Sequence, residues 1–169
     1  MKPFIYTVAL EQGYTPATVI VDEPIEYVMA TGEKWAPQNY HRDHKGPLTL
    51  RDALKDSINI VAVKLLDQVG IKTVVQLAKD MGITSLTPED RNLSLALGGF
   101  TKGVTPLELA GAFAPFANGG TRYEVRAIQK VLDQDGRILE EHQPRGVRVI
   151  TETTAYLITD MLKAVLEYG

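Results

Sequence analysis

Residues Pro3 to Leu10 carry no charge and place apolar side chains around a whole helical circumference, and this one stretch limits the architectures open to the chain. Phe4, Ile5, Val8 and Ala9 recur at helical spacing, Pro3 suits a first turn, and Gly13 supplies a stop. Such a helix needs other elements on all sides, so it belongs inside a domain. With 169 residues the chain can build that interior, because a domain of this size buries roughly 70% of the surface its unfolded form exposes. Met1-Lys2 ahead of the apolar run resembles the start of a secretion signal, but Glu11-Gln12 follow without a small-residue cleavage site. No stretch approaches the roughly 20 apolar residues of a membrane span. The expectation is a soluble chain without a targeting segment.

Residues 14–47 lose periodicity and gather Pro16, Pro24, Gly32, Pro37, Gly46 and Pro47, which reads as a long ordered loop with room for one short hairpin. Helical spacing returns at Thr49, where Thr49 and Asp52 stand at capping-box separation. Ser57-Ile58-Asn59 interrupts it; a helix from Ile60 to Val69 stops at Gly70, and another, striped by Val74, Leu77, Ala78 and Met81, stops at Gly82. Residues 83–104 read as loop and end in the glycine-rich Leu97-Gly98-Gly99-Phe100-Thr101-Lys102-Gly103. Thr105-Pro106-Leu107-Glu108 then forms a capping box with proline at the first helical position, opening a helix that carries Leu109, Ala110, Phe113, Ala114 and Ala117 to Asn118-Gly119-Gly120. Asp133-Gln134-Asp135-Gly136 marks the turn of a hairpin between Ala127–Leu132 and Arg137–Leu139. A short strand from Val147 to Ile150 leads into a last helix through Ile158, Met161, Leu162 and Val165. The whole reads as a helix-rich α+β domain.

Composition closes several routes. The chain has no cysteine, which excludes thiolate metal sites, disulfides and a thiol nucleophile. A net charge of -3 with no basic stripe offers nothing for nucleic acid to release counterions against. His41 and His44, three apart in a Pro/Gly loop, and the distant His142 read as solvated side chains and not as a metal pair; no metal or other cofactor is expected. Asp22, Glu23 and Glu26 have the look of paired acids for glycoside chemistry, yet two are adjacent in a loop and read as a solvated cluster.

Ser57-Ile58-Asn59, set between two helices within Leu50 to Ala62, resembles the S-x-N motif of the transpeptidase domain of class A penicillin-binding proteins. The likeness rests on order and context. Lys2-Pro3-Phe4 is similar to the end of that family's S-x-x-K-P-F, and Trp35-Ala36-Pro37-Gln38-Asn39-Tyr40 to its loop before the S-x-N helix. Gly103 to Ala110 and Phe116 to Gly120 are similar to the helix after its active-site loop. S-x-x-K, a Ser-x-Asn-type motif and K-T-G together mark serine acyl-transfer enzymes of this kind.

The resemblance implies a partial β-lactamase/transpeptidase-like fold over residues 1–169: one incomplete transpeptidase domain comprising the helical part and a small hairpin, with most of the central sheet missing. It implies a D,D-transpeptidase of peptidoglycan synthesis, at the outer face of the cytoplasmic membrane, whose partners are D-Ala-D-Ala stem peptides and β-lactams. In that scheme Lys2 is the base, Ser57 relays a proton to the leaving amine, Asn59 holds the lysine and the substrate backbone, and Trp35, Gly98, Gly99 and Thr101 border the substrate. The nucleophilic serine would stand three residues before Lys2 and K-T-G after the final helix, so the 169 residues alone are expected to be inactive, leaving a peptide- or partner-binding module as the alternative. Plain structural readings stand beside these: Lys2 as an exposed side chain, Ser57 and Asn59 as caps of the following helix, Gly98 and Gly99 as hinges, Trp35 as a roof over the core. Loss of the sheet is expected to leave apolar faces around Phe4, Val8, Ile158 and Val165 uncovered, favouring self-association.

Overall fold

The structure, a computed structural model, describes residues 1–28 and 32–168. Helix α1 (Lys2–Glu11) is its axis, with every residue from Phe4 to Leu10 buried. Burying each large side chain of this run contributes about 1.5–3 kcal/mol. Thr7, polar within that run, donates its hydroxyl to Pro3 O at 2.7 Å and so carries no unpaired group into the core.

The segment after α1 is more ordered than its sequence suggests. Strand β1 (Val19–Asp22), β2 (Tyr27–Val28), β3 (Lys34–Trp35) and β4 (Gly46–Thr49) form two antiparallel pairs, β1 with β4 and β2 with β3, where one hairpin was expected. The β1–β4 pairing closes residues 23–45 into a loop whose two ends lie side by side. Of the three acids read as solvated, Asp22 is buried; Glu23 and Glu26 are exposed and pair with Lys64 and Lys34 at 2.9 and 2.7 Å. Asp22 points inward because β1 alternates, with Ile20 and Asp22 on its buried side.

Helices α2 (Leu50–Lys55), α3 (Asn59–Val69) and α4 (Ile71–Asp80) follow. Thr49 caps α2 by accepting the Asp52 N–H at 3.1 Å, and its hydroxyl donates to the Asp52 carboxylate at 2.6 Å. Two 3-10 turns, Pro88–Asp90 and Leu93–Leu97, bridge to α5 (Pro106–Ala117), where the Thr105–Glu108 capping box forms as its sequence requires. Glu108 also accepts from the backbone and hydroxyl of Thr84, at 3.0 and 2.6 Å, tying α5 to the end of the α4 region. Strands β5 (Thr121–Tyr123) and β8 (Gly146–Arg148) pair, and between them β6 (Lys130–Leu132) and β7 (Ile138–Glu141) make the expected hairpin. Helix α6 (Glu152–Tyr168) returns along α1 and α2: Glu11, at the end of α1, accepts the Thr151 N–H at 2.9 Å, and Arg51 pairs with Asp160.

The expected bare faces are elsewhere. Phe4, Val8 and Ile158 are each no more than 3% exposed, because α6 packs directly on α1, and Val165 is half-buried. The uncovered apolar stripe runs along α5 instead, through Leu109, Ala110, Phe113, Ala114 and Ala117, while the helix buries Ala112, Pro115 and Phe116. No helix of the described residues is long and apolar enough to cross a membrane.

Two glycines with left-handed backbone differ sharply in what a methyl group would meet. At Gly120 (φ +94°) a Cβ would lie 2.2 Å from Ile150 O, whereas at Gly13 (φ +91°) nothing is within 4 Å. Gly13→Ala is expected to cost only the left-handed strain, about 1–2 kcal/mol. Gly120→Ala is expected to cost more than that or to prevent folding, because backbone must move. Urea unfolding of the two variants checks the contrast.

Candidate active site

The turn between α2 and α3 brings the S-x-N residues to the start of α1. Lys2 Nζ donates to Ser57 O at 2.5 Å, Ser57 Oγ at 2.8 Å and Asn59 Oδ1 at 2.7 Å. These three acceptors match the three donors of an ammonium group. Lys2 is half-buried, not the exposed side chain of the plain reading, and burial pulls its pKa down from 10.5 to about 8. None of the three acceptors is a carboxylate, so no full negative charge offsets that desolvation.

Ser57 sits at φ +54°, in the left-handed region that non-glycine residues enter at a cost. In this conformation its carbonyl and its hydroxyl both meet Lys2. The hydroxyl is therefore not a helix cap: Ile58 is the N-cap of α3 and provides no side-chain bond, and Asn59 is already helical. Capping comes from Asn39, in the loop of Trp35 to Tyr40, where no local sequence signal marks a cap for a helix 20 residues on. Asn39 Oδ1 accepts the N–H groups of Asn59 and Ile60 at 3.0 and 3.2 Å, satisfying two donors that the helix leaves free. Asn59 Nδ2 donates to Gln38 O at 2.9 Å, so the same loop sets the Asn59 amide with its oxygen toward Lys2.

Lys2 and Ser57 open onto a shallow concavity of about 350 Å³, walled by Leu54, Leu97, Leu162 and Val165. A larger concavity, about 670 Å³, lies beside the β6–β7 hairpin near Arg126 and His142 and shares no residue with it. Gly98, Gly99 and Thr101 follow directly on Leu97 in the chain. Gly98 ends the second 3-10 turn in left-handed backbone, Gly99 packs on Ser94, and Thr101 gives both its N–H and its hydroxyl to the buried Asp90 carboxylate at 2.7 Å. Trp35 is half-buried on β3, with its ring 6.2 Å from that of Tyr27. The structure thus groups Lys2, Ser57 and Asn59 tightly, with Gly98, Gly99, Thr101 and Trp35 outside the lining of that concavity.

The arrangement suits proton transfer. A lysine with pKa near 8 is partly neutral close to physiological pH, and its lone pair then has the Ser57 hydroxyl within hydrogen-bond reach.

Comparison with known proteins converges on one family. The sequence model of the penicillin-binding protein transpeptidase domain matches residues 1–169. Penicillin-binding protein 1A of Aquifex aeolicus is 41% identical over 170 residues, covering 100% of this chain and 23% of that protein. Penicillin-binding protein 1A of Pseudomonas aeruginosa is 38% identical, over 91% of this chain and 18% of that protein. The chain therefore spans about a fifth of the length of these relatives. Among solved structures, penicillin-binding protein 1A from Haemophilus influenzae superposes with a TM-score of 0.89 at 28% identity, covering 99% of this chain and 29% of that one. Penicillin-binding protein A from Mycobacterium tuberculosis, solved as an imipenem acyl-enzyme complex, shares the fold at a TM-score of 0.83 with 18% identity.

The half-buried lysine sets a pH dependence. Its folded pKa, about 8, lies below the unfolded value of 10.5, so between these values the unfolded chain binds more protons and stability rises with pH. The destabilising effect is complete below pH 8 and is lifted progressively above it. Chemical denaturation from pH 7 to 10 is expected to show a rise in wild type relative to Lys2→Met, which has no such group.

Proposed function

Because this chain belongs to the penicillin-binding protein transpeptidase domain family, we propose that it forms part of a D,D-transpeptidase that cross-links peptidoglycan stem peptides by serine acyl transfer and is acylated by β-lactams. Residues 1–169 are read as one piece of a single transpeptidase domain, working at the outer face of the cytoplasmic membrane. The observation that carries this reading is the Lys2 ammonium held by Ser57 and Asn59 at the mouth of a concavity.

In the proposed reaction, a serine three residues ahead of Lys2, one helical turn away, attacks the carbonyl carbon of the penultimate D-alanine. Neutral Lys2 takes the hydroxyl proton as the C–O bond forms. Collapse of the tetrahedral intermediate breaks the C–N bond, and the proton passes from Lys2 through Ser57 Oγ to the departing amine of the terminal D-alanine. An acceptor amine then attacks the ester, and the serine recovers its proton by the reverse route. Asn59 holds Lys2 throughout and, with Trp35, Gly98, Gly99 and Thr101, borders the peptide. The negative oxygen of the intermediate needs backbone N–H donors, assigned to the serine itself and to a residue beyond a K-T-G strand.

Residues 1–169 include no position three before Lys2, so the isolated 169-residue polypeptide presents the base and relay without the nucleophile. This favours a second reading for that polypeptide alone, binding of stem peptide without turnover. Intact-mass measurement after incubation with penicillin is expected to show no adduct on the folded polypeptide; an adduct on Ser57 or another serine would place a nucleophile within these residues and overturn the assignment. The uncovered stripe of α5 is the surface we assign to self-association, and sedimentation velocity is expected to show mass rising with concentration, suppressed by Phe113→Glu.

A further inference from the structure

Behind the lysine site lies a buried polar pair with no role in the scheme above. Asn39 is 6% exposed and Asp22 1% exposed. The Asn39 amide nitrogen donates to Asp22 Oδ1 and Oδ2, each at 2.9 Å, and to Asp43 O at 2.9 Å, while its oxygen takes the Asn59 and Ile60 N–H groups. The surroundings fix this orientation, since a flipped amide would face donors with donors and acceptors with acceptors. Asp22 is held in turn by the Lys45 N–H at 2.9 Å, with His44 Nδ1 3.8 Å away. The β1–β4 pairing is what carries Asp22 to this place.

We propose that Asn39 and Asp22 are positioning residues for the lysine site: the Asp22 carboxylate orients the Asn39 amide, whose oxygen fixes the first turn of α3 and so turns the Asn59 oxygen onto Lys2 Nζ. Neither residue touches Lys2. They act through Asn59, whose own amide is held at its other end by Gln38 O in the same loop. A simple helix cap needs only a side-chain oxygen at the N-terminus; a buried carboxylate clamping that cap from behind adds cost unless its orientation matters. The catalytic meaning of this support rests on the acyl-transfer reading, whereas its physical content does not.

The test therefore uses no β-lactam and reads Lys2 itself, by NMR titration of its side-chain methylene, together with hydrogen exchange of the Asn59 side-chain amide. In the 169-residue polypeptide the Met1 amine, which shares the Lys2 surroundings, is pushed down to about 6 by burial and then by the Lys2 charge, so it titrates below the window of interest. Asp22→Asn puts an amide donor among donors and should release Asn39. The Lys2 midpoint is expected to fall from about 8 by half a unit or more, because a loosened Asn59 withdraws an acceptor that favours the ammonium, and Asn59 amide exchange is expected to speed up at least tenfold. Glu23→Gln, next to Asp22 but exposed and paired with Lys64, should move neither signal. Asn39→Ser provides a second variant that shortens the clamp. If the folded variants keep the wild-type Lys2 midpoint and Asn59 exchange, the proposal is wrong; if neither variant folds, the pair serves the fold alone and the proposal likewise falls.

Discussion

Helix α1 carries Lys2 in its first turn, just ahead of seven consecutive buried residues, Phe4 to Leu10, and the burial of those seven dictates where everything else goes. Surrounding such a helix takes α2, α3, α4 and α6, packed against it on different sides. Lys2 then emerges where this packing ends, flanked by the α2–α3 turn. A long amphipathic side chain at that position cannot reach bulk water freely and must find acceptors nearby. The tuned lysine is thus a direct consequence of how α1 is enclosed.

The local rules were readable from sequence and held where local chemistry decides. The Thr105–Glu108 box, the Thr49 cap, the glycine stops and the Asp133–Gly136 turn each depend on residues a few positions apart. Ser57 and Asn59 could be singled out by their place between two helices and by family resemblance. Their meeting with Lys2 could not be derived, since it spans 55 and 57 positions and depends on enclosure of α1. Asn39 left no pattern at all. It lies in an aperiodic loop, caps a helix 20 residues away and works only because β1 and β4 pair around that loop. The burial of Asp22 was missed for the same reason: alternation in a four-residue strand bounded by prolines and acids is too short to read.

Misplacing the bare surface has a different cause. Helical spacing identifies the apolar stripe of α5 correctly but is silent on whether anything covers it. Helix α1 was taken to lack cover because a sheet was expected there, yet α6, arriving from the far end of the chain, fills that side. On α5 the buried contacts come instead from Ala112, Pro115 and Phe116, with Phe116 and Phe113 both reaching the ring of Phe4. Apolarity all round α1 and apolarity on two sides of α5 are similar signals in one dimension and opposite outcomes in three.

The electrostatics of the lysine site show how a lysine can be brought toward neutrality while its ammonium stays fully hydrogen-bonded. Three neutral acceptors favour the ammonium, and burial disfavours it. Had one acceptor been a carboxylate, the charged form would have been locked in; the buried Asp22 carboxylate behind the site instead meets the Asn39 amide, whose oxygen holds the Asn59 backbone N–H, and it does not touch Lys2. The left-handed backbone at Ser57 belongs to the same design, since it spends local strain to offer a carbonyl and a hydroxyl together, leaving room for only one further acceptor from α3. A peptide closing the concavity would strip the remaining water from Lys2 and enlarge its neutral fraction, the form that the proposed proton transfer requires.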